Sequence, residues 1–310
     1  MKHNIEKLIT LIITLFVISF LSFYAFSVIP GDYAQSKLGT EATKEQVEAL
    51  REELGLDQTL LKRYKNWVFS LLKGDFGTSY QYEIPVLTIL KEKVPILVSL
   101  LLLSFFWLLI LTFFFGIWIS LQKYRVIEGI FRIGNQMVMS TPSFLLGMIV
   151  TAILGFGFHL FIPGNYISFH ENKWDFIKSL LVPSFVLALP KSGMAITLFL
   201  NYVKLEQKKD YVRTAYSRGN SRKQVFFIHI FPNVLVPMYT FFAMSLLDFI
   251  ANSIMVEKVF SIPGFGSLLI SAILNRDYPI VQAMILLIGL IVIVVYEMVD
   301  WLKSNHKIIY

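Results

Sequence analysis

The sequence predicts an all-α membrane protein of six transmembrane helices, both termini cytoplasmic, with a helical extracellular segment between spans one and two. Three observations carry that expectation. The 310 residues are 55% hydrophobic and only 16% charged, with 28 Phe, 14 Tyr and 5 Trp, a composition suited to lipid rather than to a soluble domain. Six long runs, uncharged but for one or two residues, each offer the roughly 20 residues that a bilayer core of about 30 Å requires. The net charge of +7 is sorted, with cations crowding alternate short loops as the positive-inside rule demands. Nothing in that surplus implies a nucleic-acid partner. A chain without cysteine excludes disulfides, thiol nucleophiles and thiolate metal centres.

The first run, Leu8 to Pro30, follows Lys2 and Lys7 as a secretory signal would. It is too long for a signal core, and Ile29-Pro30-Gly31-Asp32 is a poor cleavage site, so it is expected to stay as an anchor. The second run is Val94 to Leu121, and the third is Ile133 to Pro163, long enough to tilt or to bend at Pro142. The fourth, Ser179 to Leu200, holds Pro183, Pro190 and Lys191; the fifth, Asn233 to Val256, holds Asp248; the last runs from Pro279 to Tyr296. Prolines inside spans free backbone groups that neighbours must satisfy, which favours a packed bundle. Residues 1–30 are then the cytoplasmic N-terminus and first span, 31–93 the external segment, and 94–310 a five-helix core with a cytoplasmic loop at 201–232.

Orientation follows from the short loops. Lys123, Arg125 and Arg132 follow span two, seven cations follow span four, and Lys303 and Lys307 lie in the tail. The opposite loops hold Lys173 and Lys178, then Lys258 and Arg276. The external segment balances its own cations with acids and is too long for the rule to apply. Within it, Thr43 and Gln46 form a capping box ahead of Val47, Leu50 and Leu54, and Gly55 stops the helix. Leu60, Leu61, Tyr64, Trp67, Val68 and Leu71 then share one face of a second helix that Gly74 ends, while Lys62, Arg63 and Lys65 are cationic. Two compatible readings are a cap lying on the bundle and a docking surface for an extracellular solute receptor.

The loop after span four is too polar to span and too patterned for a linker. Lys204, Lys208, Lys209, Arg213, Arg218, Arg222 and Lys223 outweigh Glu206 and Asp210, a net charge of +5. Asp210 is a candidate helix cap, with Tyr211, Ala215, Phe226 and Phe227 as apolar positions. Ala215 and Gly219, four apart, lie on one helical face or at its end, where a backbone can approach another surface closely.

The run Asp210-Tyr211-Val212-Arg213-Thr214-Ala215-Tyr216-Ser217-Arg218-Gly219 resembles the cytoplasmic Glu-Ala-Ala, three residues, Gly signature of binding-protein-dependent ABC importer permeases. Arg213 stands at the Glu position and Thr214 at the first Ala, a departure that resembles the dipeptide, oligopeptide and nickel branch. Glu53-Leu54-Gly55-Leu56-Asp57-Gln58 and Lys73-Gly74-Asp75-Phe76-Gly77-Thr78-Ser79 are similar to that branch's external segment. Val259 to Gly266 and Arg276 to Gln282 are similar to its loop between spans five and six.

The resemblance implies a transporter subunit rather than an enzyme. Its partners would be a second homologous permease in a heterodimer, two ABC ATPase subunits, an extracellular solute-binding protein and membrane lipid, with no cofactor of its own. It also implies that the loop around Asp210, Tyr211, Arg213, Thr214, Ala215, Arg218 and Gly219 seats in the ATPase and couples hydrolysis to an alternating-access bundle. Arg213 and Arg218 either pair with acids on the ATPase or only obey the positive-inside bias. Di- or oligopeptides are the expected solute, with nickel or a metal chelate as the alternative.

An ionisable residue within a span is costly and is a functional candidate by default. Asp248, with Asn252 one turn on, is a candidate for the solute pathway; a carboxylate satisfied by the helix bearing Lys191 is the competing reading. Asn135 and Gln136 are given no role, and His159 and His170 lack metal-ligand spacing. No Gly-x4-Gly-Lys-Ser/Thr loop, His-Glu-x-x-His or Gly-x-Ser-x-Gly stretch occurs, so energy must come from another subunit. An ion-coupled secondary transporter, the rival from another class, calls for more buried carboxylates and paired broken helices.

Overall fold

The computed structural model describes residues 2–28, 33–39, 42–122, 124–157 and 164–305. The expected boundary at residues 30 and 31, the end of span three at Pro163, and Lys123, His159 and Lys307 lie outside them. The described residues form α1 (Lys2–Val28), α2 (Tyr33–Leu38), α3 (Lys44–Glu53), α4 (Leu60–Leu72), α5 (Val86–Leu121), α6 (Arg125–Ser140) and α7 (Ser143–Thr151). A π-helical turn (Ala152–Gly157) then precedes α8 (Lys173–Glu206), α9 (Asp210–Ser217) and α10 (Arg222–Gln224). A second π-helical segment (Val225–Ile230) leads into α11 (Phe231–Val259), followed by α12 (Phe265–Leu274) and α13 (Tyr278–Asn305).

Among the described residues five helical stretches are long and apolar enough to cross a membrane: Ile9–Val28, Val86–Leu121, Lys173–Glu206, Arg222–Val259 and Tyr278–Val299. The remaining expected span is broken. Its halves, Val126–Ser140 and Ser143–Gly155, meet at 106°, so Pro142 does more than bend the helix. Proline has no N–H to give, and it pushes the residue before it out of the α region; Thr141 accordingly sits at φ −91°, ψ 124°. Pro183 and Pro190 interrupt nothing, since α8 continues through both.

The chain divides into two compact units. One gathers residues up to Val94 with Phe265–Val294, the other Pro95–Gly264 with the chain from Val295 on.

In the first unit the expected helix signals operate. Thr43 and Gln46 complete the capping box of α3, and Gly55 and Gly74 follow α3 and α4 at φ +64° and +80°, the left-handed region in which glycine carries no steric penalty. The apolar face of α4 packs on α1. Tyr64 is buried, its ring edge-on to Phe16, Phe20 and Phe23 and its hydroxyl 2.9 Å from Ser19 Oγ, so the polar tip is satisfied within an apolar seat. Arg63 lies over the Phe23 ring at 5.6 Å.

The same unit joins two distant segments. Asp277 is fully buried and accepts hydrogen bonds from Ser79 Oγ at 2.5 Å, the Tyr80 N–H at 3.2 Å and the Gln81 N–H at 3.1 Å. A buried carboxylate is tolerated when its oxygens are bonded in this way. Burial, partly offset by Arg63, raises the Tyr80 pKa above its ordinary value.

The second unit is built on α8, which packs on α11, α6 and α7. Its aromatic core joins Phe113, Phe199, Phe231 and Phe242, with rings 5.7 to 6.2 Å apart. Helices approach closely where glycine allows it. A Cβ on Gly193 would meet Met139 Cγ at 2.6 Å, and there Asn135 Nδ2 donates to the Gly193 carbonyl at 2.9 Å and to Thr197 Oγ1 at 3.0 Å. Asn135, which the sequence left without a role, thus ties α6 to α8.

Candidate functional site

The candidate coupling loop folds as a helix, a tight turn and a second helix start. Lys209 is the N-cap of α9 and no side chain caps it; Asp210 is instead the first helical residue, a correction to its expected capping role. Its carboxylate still stands at the positive end of the helix dipole. The helix ends in a Schellman turn: Gly219 N–H donates to the Tyr216 carbonyl at 3.0 Å, and Asn220 N–H to the Ala215 carbonyl at 3.4 Å. Gly219 takes φ +84°, and a Cβ placed there would meet nothing within 4 Å. Two residues on, Ser221 and Gln224 make a reciprocal capping box that starts α10.

The two faces of α9 differ. Val212 and Ala215 are buried, and α9 packs on the π-helical segment Val225–Ile230. The small size of Ala215 thus lets α9 lie close on this chain's own π-helical segment. Arg213, Thr214, Tyr216, Ser217, Arg218 and Gly219 are exposed. Phe226 is buried as expected, whereas Phe227 is 46% exposed.

Polar contacts fix the helix at both ends. The Tyr211 hydroxyl donates to Glu206, and Asn233 Nδ2 donates to that hydroxyl at 3.2 Å and to the His229 carbonyl at 2.8 Å. Burial first, then the neighbouring Glu206 carboxylate, push the Tyr211 pKa up to about 12. Arg222 donates through Nη2 to the Ser120 and Gln122 carbonyls at 3.0 and 3.1 Å, closing the C-terminal end of α5. Lys204 pairs with Glu128 at 2.6 Å and Lys209 with Glu206 at 2.7 Å. Arg213 and Asp210 are 3.7 Å apart and both fully in solvent's reach, so that pair adds almost nothing. Several loop cations are thus structural, and the sequence pattern could not separate them from Arg213 and Arg218 on the outer face.

The second candidate lies among the spans. Lys191 on α8 forms an ion pair with Asp248 on α11, as the competing sequence reading anticipated, with the lysine side chain 22% and the carboxylate 46% exposed. Asn252 does not share the pair; its Nδ2 donates to the Asp248 backbone carbonyl at 2.8 Å. Lys191 and Asn252 both line a cavity of about 340 Å³ whose wall includes Ser140, Thr141 and Pro142 at the break between α6 and α7. Among the described residues a single helix pair is broken in this way, short of the paired breaks expected of an ion-coupled carrier.

Comparison with known proteins matches residues 112–306 to the family described as binding-protein-dependent transport system inner membrane component. Residues 1–101 match the N-terminal model of such membrane components. The glutathione transport system permease protein GsiC of Escherichia coli is 31% identical, covering 98% of this chain and 97% of its own length. The dipeptide transport system permease protein DppB of Lactococcus lactis is 29% identical over 98% of this chain and 97% of its own. The oligopeptide transport system permease protein AppB of Bacillus subtilis is 28% identical over 89% of each.

Proposed function

We propose, since the chain belongs to the family of binding-protein-dependent transport system inner membrane components, that it carries short peptides across the membrane. It is a multi-pass permease of an ABC importer in the bacterial cell membrane, a transporter subunit and not an enzyme, and it works with ATPase subunits and a solute-binding protein. The relatives' names for dipeptide, oligopeptide and glutathione transport favour peptides over nickel or a metal chelate.

The finer arrangement is our reading. Both termini face the cytoplasm, residues 31–93 face outward and receive the loaded receptor, and a second homologous permease completes a heterodimer served by two ATPases. The observation that carries the coupling role is the asymmetry of α9. Its inner face, Val212 and Ala215, is locked to its own chain, while Arg213, Thr214, Tyr216, Arg218 and Gly219 stand outward. A stiff, anchored helix with a free basic face is what a partner needs in order to move the bundle. Asp248 and Asn252 flank the solute pathway.

Co-expression with the neighbouring ATPase, second permease and receptor genes tests this. Co-purification and ATP-dependent, receptor-dependent uptake of a labelled tripeptide are expected. A complex that imports nickel and no peptide would overturn the substrate class, and failure of the ATPases to bind a chain altered at Arg213 and Arg218 only through lost folding would remove the coupling role.

A further inference from the structure

An ion pair inside a membrane bundle is held there against a large desolvation cost, and a pair that is also partly open to a cavity does not serve packing alone. Lys191 and Asp248 fit that description. They come from the two helices at the centre of the second unit, and the lysine lines the cavity that reaches the broken helix. The break puts the end of α6, Ser140, and the start of α7, Ser143, in the same cavity wall as Lys191, so helix ends of both signs border that cavity.

A short peptide with free ends carries one carboxylate and one ammonium, the same two charges that Lys191 and Asp248 present to each other. We infer that Lys191 and Asp248 are a specificity pair for zwitterionic peptides, which they admit by exchanging partners: the peptide carboxylate takes Lys191 and its ammonium takes Asp248. This rests on the peptide reading above and adds to it the chemical feature that is recognised, free termini. The exchange leaves Lys191 and Asp248 each with one charge-assisted partner, so opening the pair for the right solute carries little penalty. A singly charged solute leaves one partner unpaired and a neutral one leaves both, so each is disfavoured. Hydrogen bonding of the pair within the bundle also keeps each charge satisfied while no peptide is passing.

The test uses the assembled complex in proteoliposomes. The chain has no cysteine, so with the partner subunits made cysteine-free, Met255→Cys, at an exposed position lining the cavity, supplies a single thiol whose modification rate reports occupancy. A tripeptide with free termini is expected to slow modification, the same peptide acetylated and amidated is not, and Lys191→Gln should abolish the protection. The double variant Lys191→Gln/Asp248→Asn, which leaves no lone charge, is expected to keep co-purification and ATP hydrolysis yet import the free tripeptide at least roughly tenfold more slowly, since each of the two lost charge-assisted contacts is worth about that factor or more. Equal protection by free and blocked peptides, no protection by either, or uptake by the double variant at the parent rate would each overturn the inference. So would loss of the assembled complex in the double variant, which would make the pair structural. If the parent complex imports no peptide at all, the fault lies in the substrate class, and the inference goes with it.

Discussion

Ser79 and Asp277 lie 198 positions apart in the chain and share a hydrogen bond of 2.5 Å inside the first unit. Around it, Gly77 sits close enough to Pro279 that a Cβ would touch the ring at 3.7 Å. The segment after α4 and the lead into α13 are therefore one structural element made from two pieces of sequence.

Replacing Asp277 with alanine leaves the Ser79 hydroxyl and two backbone N–H groups without an acceptor. A loss of about 3 kcal/mol in the stability of the first unit is expected, the order of cost for buried unpaired polar groups. Thermal unfolding and protease cutting between Gly74 and Pro85 measure it. Unchanged melting with no new cleavage would contradict the arrangement.

Gly219 separates two effects. Gly219→Ala adds backbone strain, about 1 kcal/mol for a non-glycine residue in the left-handed region, without bulk. Gly219→Trp adds both, its side chain starting in open space, so an effect on coupling beyond that of alanine is what a partner seated on the turn predicts. Insertion should survive in both, and peptide uptake should uncouple from ATP hydrolysis in the tryptophan variant alone. Equal coupling in the two would count against a seated turn.

Tyr211 should ionise late. A raised pKa means that the fold favours the neutral phenol, so its stabilising contribution is complete below the ordinary value of 10.0 and disappears as pH climbs through about 12. Ultraviolet difference titration of the parent against Tyr211→Phe isolates this one phenolate band. A midpoint at the ordinary value would contradict the buried, Glu206-bonded setting of the phenol.

Gly193→Ala should weaken the crossing of α6 and α8, because its methyl group would press on Met139 Cγ at 2.6 Å. A destabilisation of about 2 kcal/mol is the usual size of such overpacking. Met139→Ala in the same chain makes room and should restore most of it. Melting temperatures of the two singles and the double give the coupling directly.

Much of the helical plan was legible because its signals are local. Thr43 with Gln46, Gly55, Gly74 and Gly219 each act within one turn of helix, and the uncharged runs reveal the spans by length alone. Pro142 revealed where the third span bends, but not the size of the angle, which depends on the extended conformation it forces on Thr141. What the sequence could not supply were pairings across the chain: Ser79 with Asp277, Asn135 with Gly193, Arg222 with the end of α5. For the candidate site the loop was found by composition, yet the division of α9 into an inner and an outer face required knowing that the π-helical segment lies beneath Val212 and Ala215. The pairing of Lys191 with Asp248 was one of two readings the sequence offered, and the fold places the two side chains in contact.

The π-helical segment under α9 stores one residue more per turn than the helix it feeds. Were that surplus drawn out, α11 would screw about its own axis by about 100° and slide by about 1.5 Å, the geometry of a single α-helical step. Asp248 would then swing off Lys191. A small push on α9 would arrive at the Lys191–Asp248 pair as a rotation of α11.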